Sequence, residues 1–456
     1  MRPLVVVNAV GVTPKLLPHM PNLRRLSELG FGASLNPILP AVTCSVQATF
    51  LTGRLPRDHG VVGNGWYFRD LGEVFLWRQH NALIQGDKLW DHARRDRADW
   101  RVANVCWWYA MGAATDLLVT PRPIYHADGR KSPDCYTRPP ELHDELVGDL
   151  GAFPLFTYWG PTADITSSRW IVAAARRVLA GHRPDCMLVY VPHLDYDLQR
   201  FGPDSPQAVK AAADLDTVLG PLLDDALAAD ASVVVLSEYG ITDAARPVDV
   251  NRALRRAGLL DVHVQEGREL LDPWASRAFA VADHQIAHVY VRDPGDLKRV
   301  ADVCAELPGV AEVMDLDAKA RHGLDHERSG ELVLLADPDA WFTYYYWLDD
   351  DRAPDFARSV DIHRKPGYDP AELFFDPRDP LVKARAATAL ARKKLGLRYT
   401  TQVVPLDPTC VRGSHGRLPD DPADGPVFLC SDPGVGRESI RATEVMGVLL
   451  ELTGRR

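Results

Sequence analysis

At 456 residues, with hydrophobic residues at 46% and charged residues at 25%, the chain has the make-up of a globular protein with a large core, in one elaborated domain or two. Its formal net charge of -10 excludes a nucleic-acid scaffold, because phosphate backbones demand basic surface, but it leaves room for a small anionic substrate in a local pocket. Seven scattered cysteines without a CxxC pair exclude a disulfide framework and a thiolate zinc site, and no stretch is long enough to span a bilayer, so a cytoplasmic protein is expected.

The apolar run Leu4 to Val7 reads as a buried parallel strand, and Asn8 and Pro14 break it too early for a signal sequence. Asn8 to Gly11 then falls at the carboxyl edge, where open α/β sheets place ligands. Met20 to Leu29 is a helix stopped by Gly30. The stretch Leu39 to Val62 follows. In it Ser45 to Leu51 is helix-like, Thr52-Gly53 is its stop, and Thr43 stands at its start. Trp100 to Tyr109 is a strand and its exit, and Asp116 to Phe156, rich in Pro, Gly and polar residues, reads as irregular surface. A helix over Ser167 to Leu179 leads to the strand Cys186 to Val191; a helix over Ala208 to Leu227 leads to the strand Ser232 to Leu236. This alternation predicts an α/β fold with a mostly parallel central sheet and helices on both faces.

From Val248 to Leu335 the pattern changes. Ala278 to Val291 and Glu331 to Ala336 are strand-like, with a helix over Asp296 to Glu306 between them. The expected organisation is therefore a core of residues 1–247 and 348–456 with a smaller α+β cap, 248–347, inserted in it. The aromatic run Trp341 to Trp347 is core packing more readily than a wall of the substrate cleft. Leu381 to Leu395 is helical, Val427 to Cys430 is a last strand, and Arg441 to Leu452 is a closing helix.

Polar groups stand at three strand ends: Asn8, Asp195 with Asp197, and Glu238. His415 lies in a Gly-bracketed loop. In a parallel sheet these edges converge, so oxygen ligands, one imidazole and the Thr43 hydroxyl can meet, a set that suits hard or borderline divalent metals. A threonine at a helix start is also an ordinary capping residue, and its helix dipole favours an anion such as phosphate.

Four motifs now stand in register. Thr43, Thr52-Gly53, Pro56 and His59-Gly60 keep one frame; Asp195 through Pro203 keeps the spacing of Asp-x-x-x-His with Gly-Pro; Ser237 to Gly240 stands in the place of Ser-Asp-His-Gly after an apolar strand; and His415-Gly416 precedes the last strand. In these the chain resembles the alkaline phosphatase superfamily, in the branch of nucleotide pyrophosphatase/phosphodiesterases and phosphonoacetate hydrolases. The resemblance covers most of the chain. It implies a metal-dependent hydrolase of a phosphodiester, pyrophosphate or phosphomonoester of a small molecule, acting through a covalent phospho-threonine at Thr43. It also implies one metal pocket with Asp195, Gln199 and His415 and another with Asn8, Thr43, Glu238 and Tyr239.

The chain departs from the family at four of these positions. Asn8 and Glu238 stand for aspartates, and Gln199 and Tyr239 stand for histidines. Zinc prefers nitrogen and sulfur donors, so an oxygen-rich set suits Mn²⁺, Mg²⁺ or Ca²⁺, or a single zinc supported from elsewhere. Asp361 and His363 are candidates for that support, since on a strand they would share a face; Arg364, Lys365 and Tyr239 are candidates for substrate phosphate. Asp283-His284 and His288 form a weaker set of the same kind. The replacements also admit a phosphonate hydrolase or a phosphoryl transferase with a remodelled site, or a non-catalytic member that binds a phosphorylated ligand.

Overall fold

Leu4–Ala9 forms β1, and all six of its residues are buried. A strand apolar on both faces needs cover on both, and β1 runs through the middle of a nine-stranded sheet. The computed structural model describes residues 2–127, 130–394 and 402–454. The next strands of this sheet are β2 (Phe31–Asn36), β3 (Val102–Val105), β4 (Leu117–Pro121), β5 (Cys135–Arg138), β6 (Cys186–Val191) and β7 (Ser232–Leu236). Four further strands, β8 (Ala278–Asp283), β9 (Ile286–Val291), β10 (Val310–Met314) and β11 (Leu332–Ala336), make a separate antiparallel sheet in the order β8-β9-β11-β10. The chain then returns to the large sheet with β12 (Val427–Cys430) and β13 (Ser439–Arg441). The large sheet is ordered β13-β2-β12-β7-β1-β6-β3-β4-β5.

Within it, β7, β1, β6, β3 and β4 are parallel neighbours. Asn8 of β1 lies opposite Tyr190 of β6 and Leu236 of β7. The carboxyl ends of the three central strands therefore open at one edge, and whatever follows each strand is delivered to the same place.

The principal helices are α1 (Pro21–Leu29), α2 (Thr43–Thr52), α3 (Glu141–Leu150), α4 (Ile165–His182), α5 (Leu194–Phe201), α6 (Pro206–Ala228), α7 (Val382–Lys394) and α8 (Val445–Leu452). Successive residues of β1 feed opposite sides. Leu4 and Val6 join Cys44, Val46 and Phe50 of α2, while Val5 and Val7 join Ile171 and Ala175 of α4 and Leu215 and Leu219 of α6. α2 is buried at every residue, so its sequence carries no polar outer face. It stops at Gly53, whose φ of 66° is left-handed and whose N–H bonds the Thr49 carbonyl.

Several expectations need correction. The stretch 116–156 is not irregular surface. It holds β4 and β5 of the large sheet and α3, because Leu117, Leu118 and Val119 are a short buried apolar run and Leu142 and Leu146 sit one turn apart on a buried helix face. Ala278 to Val291 is two strands, not one, turned at His284, whose φ of 61° is left-handed. The run 341–347 is core, as expected: the strand Ala340–Phe342 pairs with Arg246–Val248, and the aromatics that follow are fully buried. The closing helix begins at Val445, since Ser439–Arg441 is taken by β13. Helix α7 falls within the expected 381–395, of which Leu395 lies outside the described residues. Among the described residues no helix is long and apolar enough to cross a membrane.

Candidate active site

The site is assembled at the carboxyl edge. β1 ends on Asn8; β6 runs into α5, whose first turn holds Asp195; β7 runs into Ser237-Glu238-Tyr239. The short pairing of Thr242 with Ser414 brings in His415. Thr43 is the first residue of α2; the residue before it, Val42, is the N-cap and has no side chain to bond the first-turn amides. Asn8, Thr43, Asp195, Glu238, Tyr239 and His415 are all buried, Thr43 at 3% exposure.

Two hydrogen-bonded groups result. In the first, Glu238 Oε1 accepts from Asn8 Nδ2 and, at 2.6 Å, from Gln47 Nε2. Thr43 lies one helical turn before Gln47 on α2, on the helix face that meets this carboxyl. In the second, the Tyr239 hydroxyl is 2.9 Å from Thr43 Oγ1 and 3.3 and 3.4 Å from the two oxygens of Asp195. Tyr239 thus stands between the threonine and the one aspartate of the family's pattern that the chain keeps.

A column of four rings closes the second group. Tyr239 stacks on His415, His415 on His284, and His284 on Tyr368, each pair with centroids 3.6 Å apart. The Tyr368 hydroxyl donates to Gln199 Oε1 at 2.8 Å. His415 donates from Nδ1 to the Ala41 carbonyl at 2.8 Å, which leaves its Nε2 as a buried lone pair. Asn64 ties the small sheet to α2: its Nδ2 donates to Asp283 Oδ1 and its Oδ1 accepts from the Cys44 amide, both at 2.9 Å.

No lysine or arginine pairs with Asp195 or Glu238 among the described residues. Burial lifts the Asp195 carboxyl to about 7 against the pull of the Tyr239 hydrogen bond. It lifts Glu238 to about 8 against hydrogen bonds from Gln47 and Asn8. It also lowers His415 to about 3, so that imidazole is neutral.

The structure therefore brings together Asn8, Thr43, Asp195, Gln199, Glu238, Tyr239 and His415. It does not bring in the others. Asp361 to Arg364 is a turn, with the Arg364 amide on the Asp361 carbonyl, so Asp361 and His363 have no common strand face. His363 is exposed, and Arg364 faces solvent beside Asp355. Lys365 is buried and bound to Asp369 and Glu372, each at 2.7 Å, so its ammonium is committed within the fold and not open to a phosphate. Three residues of the site escaped the sequence reading as site members: Gln47, Asn64 and Tyr368. Gln47 had a signal, being the one amide side chain of this buried helix and one helical turn after Thr43.

These residues can be tested against the metal pair that the family's pattern implies. Among the described residues, the one group of three His, Cys, Asp or Glu donors gathered within 4.8 Å is Asp134, Cys135 and His143, away from this site. The site's ordinary ligand types, Asp195, Glu238 and His415, do not converge in that way, so a zinc pair does not fit. Asn8 and Glu238 are joined by a hydrogen bond and still leave Asn8 Oδ1 and Glu238 Oε2 buried without a partner, and Thr43 starts the helix whose Gln47 bonds the same carboxyl. That set fits one hard divalent ion.

The profile of the type I phosphodiesterase / nucleotide pyrophosphatase family matches residues 4–369. The chain belongs to this family. Enzymes of the family depend on divalent metals, generally zinc. An uncharacterized pyrophosphatase/phosphodiesterase of Schizosaccharomyces pombe is 24% identical over 249 residues, which is 51% of this chain and 42% of that protein. The chain thus spans less than half the length of this curated relative. Phosphonoacetate hydrolase from Sinorhizobium meliloti, solved with phosphonoformate, superposes with a TM-score of 0.62 at 16% identity, over 99% of this chain and 96% of that one. An inactive form of murine ectonucleotide pyrophosphatase / phosphodiesterase 5 with AMP superposes with a TM-score of 0.60 at 15% identity, over 100% of this chain and 96% of that one. At such identities these phosphodiesterase-family structures establish a shared fold.

Proposed function

We propose that the chain hydrolyses a phosphodiester of a small molecule, with Thr43 as the nucleophile. The observation that carries this is the placement of Thr43. Its hydroxyl stands at the start of α2, in the family's frame, 2.9 Å from a Tyr239 hydroxyl that in turn contacts Asp195.

The chemistry follows from the residues. The Thr43 oxygen attacks phosphorus in line with the leaving oxygen; its bond to phosphorus forms as the bond to the leaving group breaks. The proton that Thr43 loses has a path, from Thr43 to the Tyr239 oxygen while the Tyr239 proton passes to Asp195. The same path returns a proton to the leaving alkoxide. Water then cleaves the phospho-threonine. The helix dipole at the start of α2 favours the anion throughout. A divalent ion held by Asn8, Thr43 and Glu238 would supply the positive charge that no lysine or arginine supplies here.

The same shortage of cations selects among phosphoesters. A diester brings one negative charge to a buried site without lysine or arginine among the described residues and a monoester brings two, so the diester is the better guest. Residues 248–347 serve as the cap: Asp283 and His284, at its inner turn, hold Asn64 and the ring column. The seven thiols are unpaired and six are buried, which suits a reducing compartment such as the cytoplasm. A second reading, a non-catalytic phospho-ligand-binding member, draws support from the depth of Thr43, at 3% exposure.

The test is a panel of diesters, monoesters, pyrophosphates and phosphonates, assayed with wild type and Thr43→Ala in Mn²⁺ and Mg²⁺. Diester turnover that Thr43→Ala abolishes supports the hydrolase. A folded wild type with tight phosphoester binding and no turnover makes the second reading correct.

A further inference from the structure

We propose that this chain holds one oxygen-coordinated divalent ion, at Asn8, Thr43 and Glu238, and that the hydroxyls of Tyr239 and Tyr368 occupy the donors a second ion would need. The inference deepens the reading of the site as one for phosphoester chemistry, but its test counts ions and needs no turnover.

The two halves of the site differ in what is already spoken for. On the Asp195 side, both carboxylate oxygens face the Tyr239 hydroxyl at 3.3 and 3.4 Å. Gln199 Oε1 accepts the Tyr368 hydroxyl at 2.8 Å. An ion taken by His415 Nε2 would draw on Asp195 and Gln199 as its other donors, and each already accepts a phenol. His415 itself is held between Tyr239 and His284, at 3.6 Å from each, so its ring has no freedom to turn toward other donors. The phenols therefore do for Asp195 and Gln199 what a metal would otherwise do: they satisfy buried lone pairs.

On the Glu238 side the opposite holds. Asn8 and Glu238 are joined through Asn8 Nδ2 and Glu238 Oε1, which leaves Asn8 Oδ1 and Glu238 Oε2 buried and unpartnered. Thr43 starts the helix whose next turn carries Gln47, and Gln47 Nε2 donates to the same carboxyl at 2.6 Å. Two buried oxygens without a hydrogen-bond partner, and no lysine or arginine beside them among the described residues, are donors that a cation would satisfy. All three donors are oxygens, so the ion is of the Mg²⁺ or Mn²⁺ class.

The experiment strips the full-length protein with EDTA and titrates it with Mn²⁺ and with Zn²⁺, counting sites by calorimetry and bound metal by elemental analysis after dialysis. Far-UV dichroism and the unfolding midpoint check each variant. Wild type is expected to take one Mn²⁺ per chain. Glu238→Gln is expected to lose it at least tenfold in affinity, and Asp195→Asn to keep it within about twofold. Restoring the family's donors with Asn8→Asp, Gln199→His and Tyr239→His together is expected to add a second site that takes Zn²⁺. Two ions in wild type, none in wild type, or loss of the ion in Asp195→Asn with retention in Glu238→Gln would each overturn the proposal. If the triple variant fails to fold, the comparison of Glu238→Gln with Asp195→Asn decides. Absence of turnover on every substrate would sink the hydrolase reading and leave this count unaffected.

Discussion

Replacing Lys365 by Met separates a structural role from a substrate-binding one. Lys365 is 1% exposed and lies 2.7 Å from both Asp369 and Glu372, which are themselves 1–2% exposed. Burial pulls its ammonium down, yet the two carboxylates more than offset this and hold it above the usual lysine value. Glu372 also takes the Trp159 indole N–H at 2.6 Å and the Asp361 amide at 2.9 Å, and Asp369 caps the turn that follows it. Methionine fills much of the same volume but leaves two buried carboxylates without a cation. Breaking such a pair costs about 3–5 kcal/mol. An unfolding entropy of about 2 cal/mol/K per residue gives about 1 kcal/mol/K for the 456 residues, so the midpoint falls by about 3–5 °C if the chain unfolds as one unit. The double variant Lys365→Met with Glu372→Gln recovers part of that loss. The assay is thermal unfolding, run beside diester turnover. An unchanged midpoint with a raised KM would refute the reasoning and make Lys365 a phosphate ligand.

Three further outcomes follow. Tyr239→Phe removes the hydroxyl between Thr43 and Asp195 and should lower kcat about 100-fold while leaving the unfolding midpoint within a few degrees; unchanged kcat would remove Tyr239 from the proton path. His288 is buried, with Nε2 on the Val62 carbonyl at 2.9 Å and Nδ1 accepting the Gly330 amide at 3.2 Å, a pattern only neutral imidazole satisfies; burial lowers it to about 4. The unfolded chain takes up this proton below about 6.5 and the folded chain only below about 4, so stability is whole above pH 6.5 and up to about 3 kcal/mol is lost as pH falls from 6.5 to 4. His288→Gln should flatten that part of the acid denaturation profile, and an equally steep profile would contradict the assignment. Arg364→Ala, at an exposed pair with Asp355, should change stability by no more than about 0.5 kcal/mol and leave KM unchanged; a raised KM would bring Arg364 back as a substrate contact.

Much of the fold was legible because parallel strands announce themselves locally. Leu4 to Val7, Cys186 to Val191 and Ser232 to Leu236 are unbroken apolar runs, and a strand buried on both faces requires that. The residues just past each run, Asn8, Asp195 and Glu238, could be named as neighbours before any coordinates, because parallel strands deliver their ends to one edge. β4 and β5 were hidden by the Pro- and Gly-rich turns around them, which dominate a composition reading of 116–156. The ring column was hidden for another reason. His284, Tyr368 and His415 come from three distant segments, and nothing in their local sequence tells a stacked ring from an ordinary core aromatic. Asp361 to Lys365 misled because charge density alone does not tell a phosphate-binding loop from a loop that turns one lysine inward; the deciding partners, Asp369 and Glu372, lie beyond the charged run. Tyr239 was visible as a departure from the family's histidine, but its contact with both Thr43 and Asp195 is a matter of tertiary geometry.

Thr43 as the nucleophile is tested most directly by the mass of the intact protein quenched during turnover of a diester that the panel identifies, followed by peptide mapping of any adduct. One added phosphoryl-ester group is expected on the peptide that carries Thr43, absent from Thr43→Ala. Steady turnover by the Thr43→Ala protein, or an adduct on any other residue, would contradict it.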